Sequence, residues 1–195
     1  MLLHTAAFSG SSGVSLGDRY VGAFLKWFVD CPHAINLICE RDHQMVGYVF
    51  GAPDGYGLSL NRDLFPVIGV ALLTRPWLLL RSSFLRQIPG RLQLLVKRRP
   101  PAADGLAVQP SIGGRYRLVG IGVDPGQRRS GIGRRLMQAF QERAWRLGYT
   151  EIQLSVYADN LGAQRLYKSC GWEQTTFNRE VVHYAVWRTP DKAQA

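Results

Sequence analysis

A glycine-rich turn between a β-rich run and an amphipathic segment is the part of the chain most suited to bind an anion. The string VDPGQRRSGIGRRL occupies residues 123–136. The first backbone N–H groups of a helix have no partner within it, and the helix dipole adds positive charge at the same end. Gly131 and Gly133 lack a Cβ, so phosphate oxygens can approach the backbone closely. The turn therefore predicts a pyrophosphate site.

Positive side chains surround this turn and strengthen the prediction. They are Arg128, Arg129, Arg134 and Arg135. The string is neither a Walker A motif nor a complete GxGxxG fingerprint. Glycines also close tight turns that bind nothing, so the turn by itself is weak evidence for a particular ligand.

Two motifs in this half of the chain resemble the GNAT family of N-acetyltransferases. Residues 128–133 read RRSGIG and match [QR]-x-x-G-x-[GA], the loop that cradles the pyrophosphate of coenzyme A in that family. Residues 160–172 match N-x-x-A-x-x-L-Y-x-x-x-G-[FW]. The resemblance covers residues 116–187 and extends to residues 18–51. It implies acetyl-CoA as the cosubstrate and no metal ion.

The resemblance also implies roles for individual residues. Those expected to contact the cofactor are Ile121, Gly122, Val123, Arg128, Arg129, Ser130, Gly131, Ile132, Gly133, Arg134, Asn160 and Ala163. The backbones of Ile121 and Val123 would bind the pantetheine arm in a wedge between two splayed strands. Asn160 would bind the same arm, or cap a helix, or do both.

Tyr167 is the expected general acid, because the resemblance brings its hydroxyl to the departing thiolate. The alternative is that its ring only packs under the pantetheine arm. Cys170 is expected to be a small apolar filler, so no acyl-enzyme is predicted.

The general base stays open at this stage. Many family members place a Glu near the position of Arg117, and this chain departs from that pattern. The remaining candidates are Glu40, His43, Asp54 and His183, each of which could equally be structural or solvated. A chain of water molecules would also serve.

The hydrophobic periodicity predicts an α/β fold. Strands are expected at 34–40, 45–51, 116–123, 151–156, 175–177 and 181–187. One helix is expected to begin at an Asp18 cap, and two others are expected at 131–147 and 161–169. We predict one GNAT-type domain over residues 1–195, with a mixed, mostly antiparallel sheet and helices on both faces.

Residues 61–110 form a predicted helical insertion between the third and fourth strands of that fold. Two or three short helices are expected, with Pro66 as a break. Residues 64–103 contain no Asp or Glu and carry Arg75, Arg81, Arg86, Arg91, Lys97, Arg98 and Arg99. The segment could be an acceptor lid, a homodimer surface, or a peripheral membrane contact through residues 64–99.

Composition narrows the class of protein. The net charge is +10, but no nucleic-acid-reading motif accompanies it, so nucleic-acid binding is not expected. Three cysteines without a CxxC spacing, and the lack of a signal-like N-terminus, favour the cytoplasm.

The predicted function is acetyl transfer to a primary amine, such as that of an amino sugar. The alternatives are acetylation of a protein N-terminus or lysine, and a non-catalytic acyl-CoA-binding module.

Overall fold

The computed structural model describes residues 17–74, 114–178 and 180–188. The chain divides into two compact units. The described part of the first comprises residues 17–32 and 55–74, and that of the second comprises 33–54, 114–178 and 180–188. The basic residues from Arg75 to Arg99 lie outside the described residues. The lid, dimer and membrane alternatives for them therefore stay predictions, as does the single domain over residues 1–195.

The described part of the second unit contains six strands, two α-helices and a single-turn 3-10 helix at Pro125–Gln127. The strands are β1 (Ile35–Arg41), β2 (Gln44–Pro53), β3 (Arg115–Val123), β4 (Glu151–Tyr157), β5 (Glu173–Phe177) and β6 (Val181–Trp187). Helix α3 spans Ile132–Arg146 and helix α4 spans Leu161–Ser169. The strands form one sheet in the order β1-β2-β3-β4-β6-β5. All neighbours are antiparallel except β3 and β4. The predicted α/β class and mixed, mostly antiparallel sheet are confirmed.

Local backbone conformations and a helix cap explain where several of these elements begin and end. Asp42 and His43 both have positive φ, which suits the two-residue turn that joins β1 to β2. Asn160 caps α4, because its Oδ1 accepts a hydrogen bond from Ala163 N at 3.1 Å. Gly148, with φ 91, follows the end of α3 and allows the chain to turn into β4.

A β-bulge in β3 decides which side chains face the core. Phe50 pairs with Gly120, whereas the next residue of β2, Gly51, pairs with Leu118, so Val119 is the extra residue. Leu118 and Ile121 consequently both face α3 and its core. The buried core residues of α3 are Ile132, Leu136, Met137, Phe140 and Ala144.

The Tyr116 hydroxyl joins three segments of the second unit. It accepts a hydrogen bond from Ile35 N at 2.8 Å and lies 2.9 Å from His33 O and 3.0 Å from Gly51 O, either of which can accept its proton. Tyr116 is fully buried. Removing this hydroxyl would leave buried backbone groups without a partner.

We expect Tyr116→Phe to lower the free energy of unfolding by about 1–3 kcal/mol, the cost of leaving buried polar groups unpaired. Urea unfolding of the two proteins measures the difference. Tyr157→Phe is the matched control: Tyr157 is exposed, and its variant should stay within about 0.5 kcal/mol of wild type. Equal loss in both variants would contradict the role of the Tyr116 hydroxyl.

The first unit contains helices α1 (Asp18–Asp30) and α2 (Tyr56–Thr74). Trp27 Nε1 donates to Asp63 Oδ2 at 2.9 Å and thereby links them. Two predictions were wrong here. The N-cap of α1 is Gly17, with φ 92, and Asp18 lies in the first turn. Pro66 lies inside α2, so residues 61–74 continue one helix rather than starting a new one. A proline within a helix costs a hydrogen bond without necessarily ending the helix.

No helix among residues 17–74, 114–178 and 180–188 combines the length and apolar character that a membrane span requires.

Candidate active site

The parallel strands β3 and β4 diverge partway along their length. Their ladder has three pairs, of which Arg117↔Gln153 is the last. Both strands then continue, β3 to Val123 and β4 to Tyr157. A wedge therefore opens beyond Arg117, as the resemblance implies.

The backbone of β3 offers hydrogen-bonding groups to this wedge. Asp124 N donates to Val46 O at 2.9 Å, so the backbone at position 124 faces β2. Successive residues of a strand direct their N–H and C=O groups to opposite sides. Gly122 consequently faces β2 as well, whereas Ile121 and Val123 face the wedge. This geometry suits binding of a polyamide arm by Ile121 and Val123, but not by the Gly122 backbone.

The predicted anion turn lies at the open end of β3. Helix α3 begins at Ile132, and its N-cap is Gly131, with φ 81 and no capping side chain. Two contacts shape the preceding turn: Asp124 Oδ1 accepts from Gly126 N at 2.8 Å, and the Ser130 hydroxyl donates to Gln127 O. The surrounding arginines are exposed: Arg128, Arg129, Arg134 and Arg135. The start of α3, which no side chain caps, is thus flanked in sequence by two pairs of exposed arginines, an arrangement that favours an anion.

Three positions of the site are occupied by glycine, each for a different structural reason. A Cβ on Gly131 would meet nothing within 4 Å, but its φ of 81 disfavours other residues. A Cβ on Gly133 would lie 3.2 Å from Leu166 Cδ2, so this glycine allows α3 to approach α4. A Cβ on Gly122 would lie 2.7 Å from the Tyr48 ring. Of these three glycines, Gly131 is the one with the open surroundings that the phosphate interpretation requires.

Tyr167 lies in α4 with its side chain buried. Its ring centroid is 6.2 Å from that of Trp172 and 5.9 Å from that of Tyr184. Burial, with a smaller contribution from Tyr184, raises the pKa of Tyr167 to about 12. The phenol therefore carries its proton at neutral pH, as a general acid must. Asn160, at the start of α4, uses only its carbonyl oxygen for the cap, so its amide N–H groups can serve the cofactor arm as well.

We expect the raised pKa of Tyr167 to affect stability at high pH. An unfolded tyrosine releases its proton near pH 10, whereas folded Tyr167 retains it to about pH 12. In that window the folded state binds more protons, so the free energy of unfolding falls as pH rises. From pH 9 to pH 11 wild type should lose about 1 kcal/mol more than Tyr167→Phe, measured by urea unfolding. Parallel losses would contradict the shift.

A row of polar side chains crosses the sheet at the point where the wedge begins to open. Arg117 Nη1 lies 3.7 Å from Asp54 Oδ1, and Arg117 Nη2 donates to Ser155 Oγ at 3.4 Å. Ser155 Oγ lies 2.9 Å from His183 Nδ1. Leu118, Leu154 and Val182 are core residues in neighbouring positions, and side chains alternate along strands. The row therefore lies on the face opposite α3.

The four candidate bases differ in their exposure and in their partners. Glu40 and His43 are exposed and belong to the hairpin of β1, the edge strand. Asp54 is paired with both Arg115, at 3.4 Å, and Arg117. His183 lies in the polar row. Ser155 was not among the predicted site residues, because only strand pairing shows that it is opposite His183.

Cys170 is half-buried and packs against the core.

Nowhere in the described chain do three His, Cys, Asp or Glu side chains come close enough to hold a metal ion together.

Comparisons with known proteins agree with this geometry. A family model for the acetyltransferase (GNAT) family matches residues 4–172. A stretch of 70 residues is 40% identical to mycothiol acetyltransferase from Kocuria rhizophila. That stretch is 36% of this chain and spans only 22% of the relative's length.

Solved structures share the fold at low sequence identity. Ribosomal-protein-alanine N-acetyltransferase from Brucella melitensis has a TM-score of 0.56 at 16% identity, covering 96% of this chain and 91% of that one. A GNAT family acetyltransferase from Elizabethkingia anophelis, solved with acetyl-CoA bound, has a TM-score of 0.53 at 9% identity, with coverages of 96% and 89%. Because the family model extends over most of the sequence, the chain belongs to the GNAT family of acetyltransferases, enzymes whose cosubstrate is acetyl-CoA.

Proposed function

We propose that this protein is an N-acetyltransferase that moves an acetyl group from acetyl-CoA to the primary amine of a small molecule, with an amino sugar as the first candidate. The observation that carries the proposal is the wedge, which opens after the Arg117↔Gln153 pair beside an uncapped helix N-terminus. One side of the wedge offers the backbone groups of Ile121 and Val123, and in this proposal the Tyr167 phenol serves the other side. These are the features needed to bind a thioester and release its thiol.

The cofactor is held by residues of three elements in this proposal. The turn from Arg128 to Arg134 takes the pyrophosphate, because it combines free N–H groups with positive charge. Ile121 and Val123 bind the pantetheine arm through their backbones, with help from the Asn160 amide. Ala163, whose N–H is taken by the Asn160 cap, contributes contact only.

Catalysis in this proposal depends on orientation and on one proton donor. The amine nitrogen forms a bond to the acetyl carbonyl carbon, and the bond between that carbon and sulfur breaks. Tyr167 gives its hydroxyl proton to the departing sulfur. The proton that the amine loses passes through water and restores the Tyr167 hydroxyl, since the Asp54 carboxylate is already shared by two arginines.

Thiol release from acetyl-CoA with a panel of amines tests the proposal. The panel contains amino sugars, peptides with free N-termini and lysine peptides. We expect amine-dependent thiol release with an amino sugar or another small amine, and a corresponding acetylated product by mass spectrometry. Turnover only with peptides would favour a protein acceptor instead. Tight acetyl-CoA binding with no turnover on any amine would favour a non-catalytic acyl-CoA-binding module.

The predicted homodimer and the peripheral membrane contact through residues 64–99 are separate from catalysis. Sedimentation at several protein concentrations tests the first, and binding to anionic vesicles tests the second. Neither outcome changes the proposed reaction.

A further inference from the structure

We infer that the acceptor carries an anionic group, a phosphate or a carboxylate, in addition to its amine, and that Arg117, Ser155 and His183 bind that group. We call these three residues the donor row. This inference rests on the proposed acetyl transfer for the role of the amine, but anion binding itself can be measured without turnover.

The donor row brings together hydrogen-bond donors from three neighbouring strands. Ser155 lies directly opposite His183 in the ladder of β4 and β6. Arg117 belongs to the last pair of β3 and β4, and its Nη2 reaches Ser155 Oγ at 3.4 Å. A guanidinium, a hydroxyl and an imidazole N–H therefore converge where the two parallel strands separate. Donors gathered in this way suit an oxyanion.

Arg117 retains unused binding capacity. A guanidinium has five N–H donors in a planar fork. Its contacts are 3.7 Å to Asp54 Oδ1 and 3.4 Å to Ser155 Oγ, both longer than the 2.7–2.9 Å of a strong charge-assisted hydrogen bond. The Arg117 side chain is 31% exposed, so it is accessible to a ligand yet partly shielded from bulk water. A closer anion would therefore compete well with these two contacts.

The carboxylates of Asp54 and Glu151 lie away from the open end of the wedge. Asp54 N bonds to Arg115 O, and Glu151 pairs with Arg115 in the ladder, so both acids are at the closed end. Glu151 is also engaged by Gln153 Nε2 at 2.6 Å. Asp54 pairs with Arg115 and, at the longer distance of 3.7 Å, with Arg117, whereas the other two members of the donor row, Ser155 and His183, carry no negative charge. The electrostatic environment accordingly favours an anion at the donor row and not at Arg115.

The position of the donor row indicates which reactant it serves. The row is on the face of the sheet opposite α3, whereas the pyrophosphate turn precedes α3 at the end of β3. A cofactor anchored at that turn enters the wedge from the α3 side. The opposite face is left for the acceptor, and its anion would be bound beside the point where its amine meets the thioester.

Inorganic phosphate is the probe for the binding test. The protein is first saturated with coenzyme A, so that the pyrophosphate turn is filled. Phosphate is then titrated while the ring protons of His183 are followed by NMR, assigned with the His183→Gln variant. We expect saturable shifts in wild type and a midpoint at least about tenfold higher in Arg117→Gln, as is typical for loss of a charged hydrogen-bond partner. Arg115→Gln, the matched control, should change the midpoint less than about twofold.

Kinetics with matched amines provide the second test. The pairs are glucosamine 6-phosphate with glucosamine, and 3-aminopropyl phosphate with 3-aminopropanol. We expect wild type to prefer the phosphorylated member by at least about tenfold in kcat/KM, mainly through KM. Arg117→Gln should lose that preference, and Arg117→Lys should restore part of it.

The two tests distinguish failure of this inference from failure of the proposed reaction. Acetylation without any preference for the anionic amines, together with phosphate titrations that do not respond to Arg117→Gln, would overturn the anion site and leave the reaction intact. Phosphate binding that depends on Arg117, with no amine acetylated, would support the anion site and overturn the reaction.

Discussion

Replacing Tyr167 with Phe should lower the turnover number by at least about tenfold and change the affinity for acetyl-CoA by less than about twofold. The Tyr167 ring packs beside those of Trp172 and Tyr184 with 5% of the residue's surface exposed, and Phe preserves that packing. What the variant loses is the hydroxyl proton that the departing thiolate requires. Loss of an interaction made only in the transition state lowers kcat and leaves ground-state binding unchanged.

The raised pKa of Tyr167 sets the size of the effect. General acid catalysis is worth about 10²–10⁴-fold when donor and acceptor are well matched. A phenol with a pKa of about 12 is a weaker acid than an ordinary tyrosine, and a thiol has a pKa near 8.5. Proton transfer to a fully formed thiolate is therefore uphill, which favours the lower end of the range.

Tyr184→Phe is the matched control for this prediction. Tyr184 is also buried, its ring neighbours Tyr167, and its hydroxyl donates to Gln164 Oε1 at 3.3 Å. Its variant should lose stability but keep turnover near the wild-type value. If Tyr167→Phe turns over as fast as wild type while chemistry limits the rate, the tyrosine is only a packing residue.

Replacing Gly131 with Val should weaken acetyl-CoA binding by about tenfold or more. Gly131 has φ 81 at the N-cap of α3, a conformation that a β-branched residue adopts only with strain of order 1–3 kcal/mol. Relieving that strain turns the first N–H groups of α3 away from the phosphates. The added side chain would also project into the space that phosphate oxygens need, since no protein atom occupies it within 4 Å.

Two further variants separate backbone strain from steric blocking. Asn tolerates the left-handed region, so Gly131→Asn keeps the backbone and adds only a side chain. We expect its affinity to lie between those of wild type and Gly131→Val in calorimetry. Gly162→Ala, in the first turn of α4 with its nearest atom at 3.9 Å, should bind acetyl-CoA normally. Unchanged affinity in a folded Gly131→Val protein would place the pyrophosphate elsewhere.

Features that depend on residues close together in the chain could be predicted without the structure. The bounds of α4, Leu161–Ser169, coincide with the prediction, because the Asn160 cap is a local contact and the helix ends before Gly171. The strand–turn–helix around Gly131 was predicted for the same reason. Glycine tolerance of positive φ and the N–H groups of a helix start are properties of short segments.

Features that depend on strand pairing required the tertiary structure. Arg117, Ser155 and His183 are far apart in sequence, and only the registers of β3 with β4 and of β4 with β6 bring them together. The bulge at Val119 reverses which side chains of β3 face the core, so alternation along the sequence could not place Ile121 and Arg117 on their faces. Register is decided by packing across the sheet, because a shift of one residue moves every side chain to the other face.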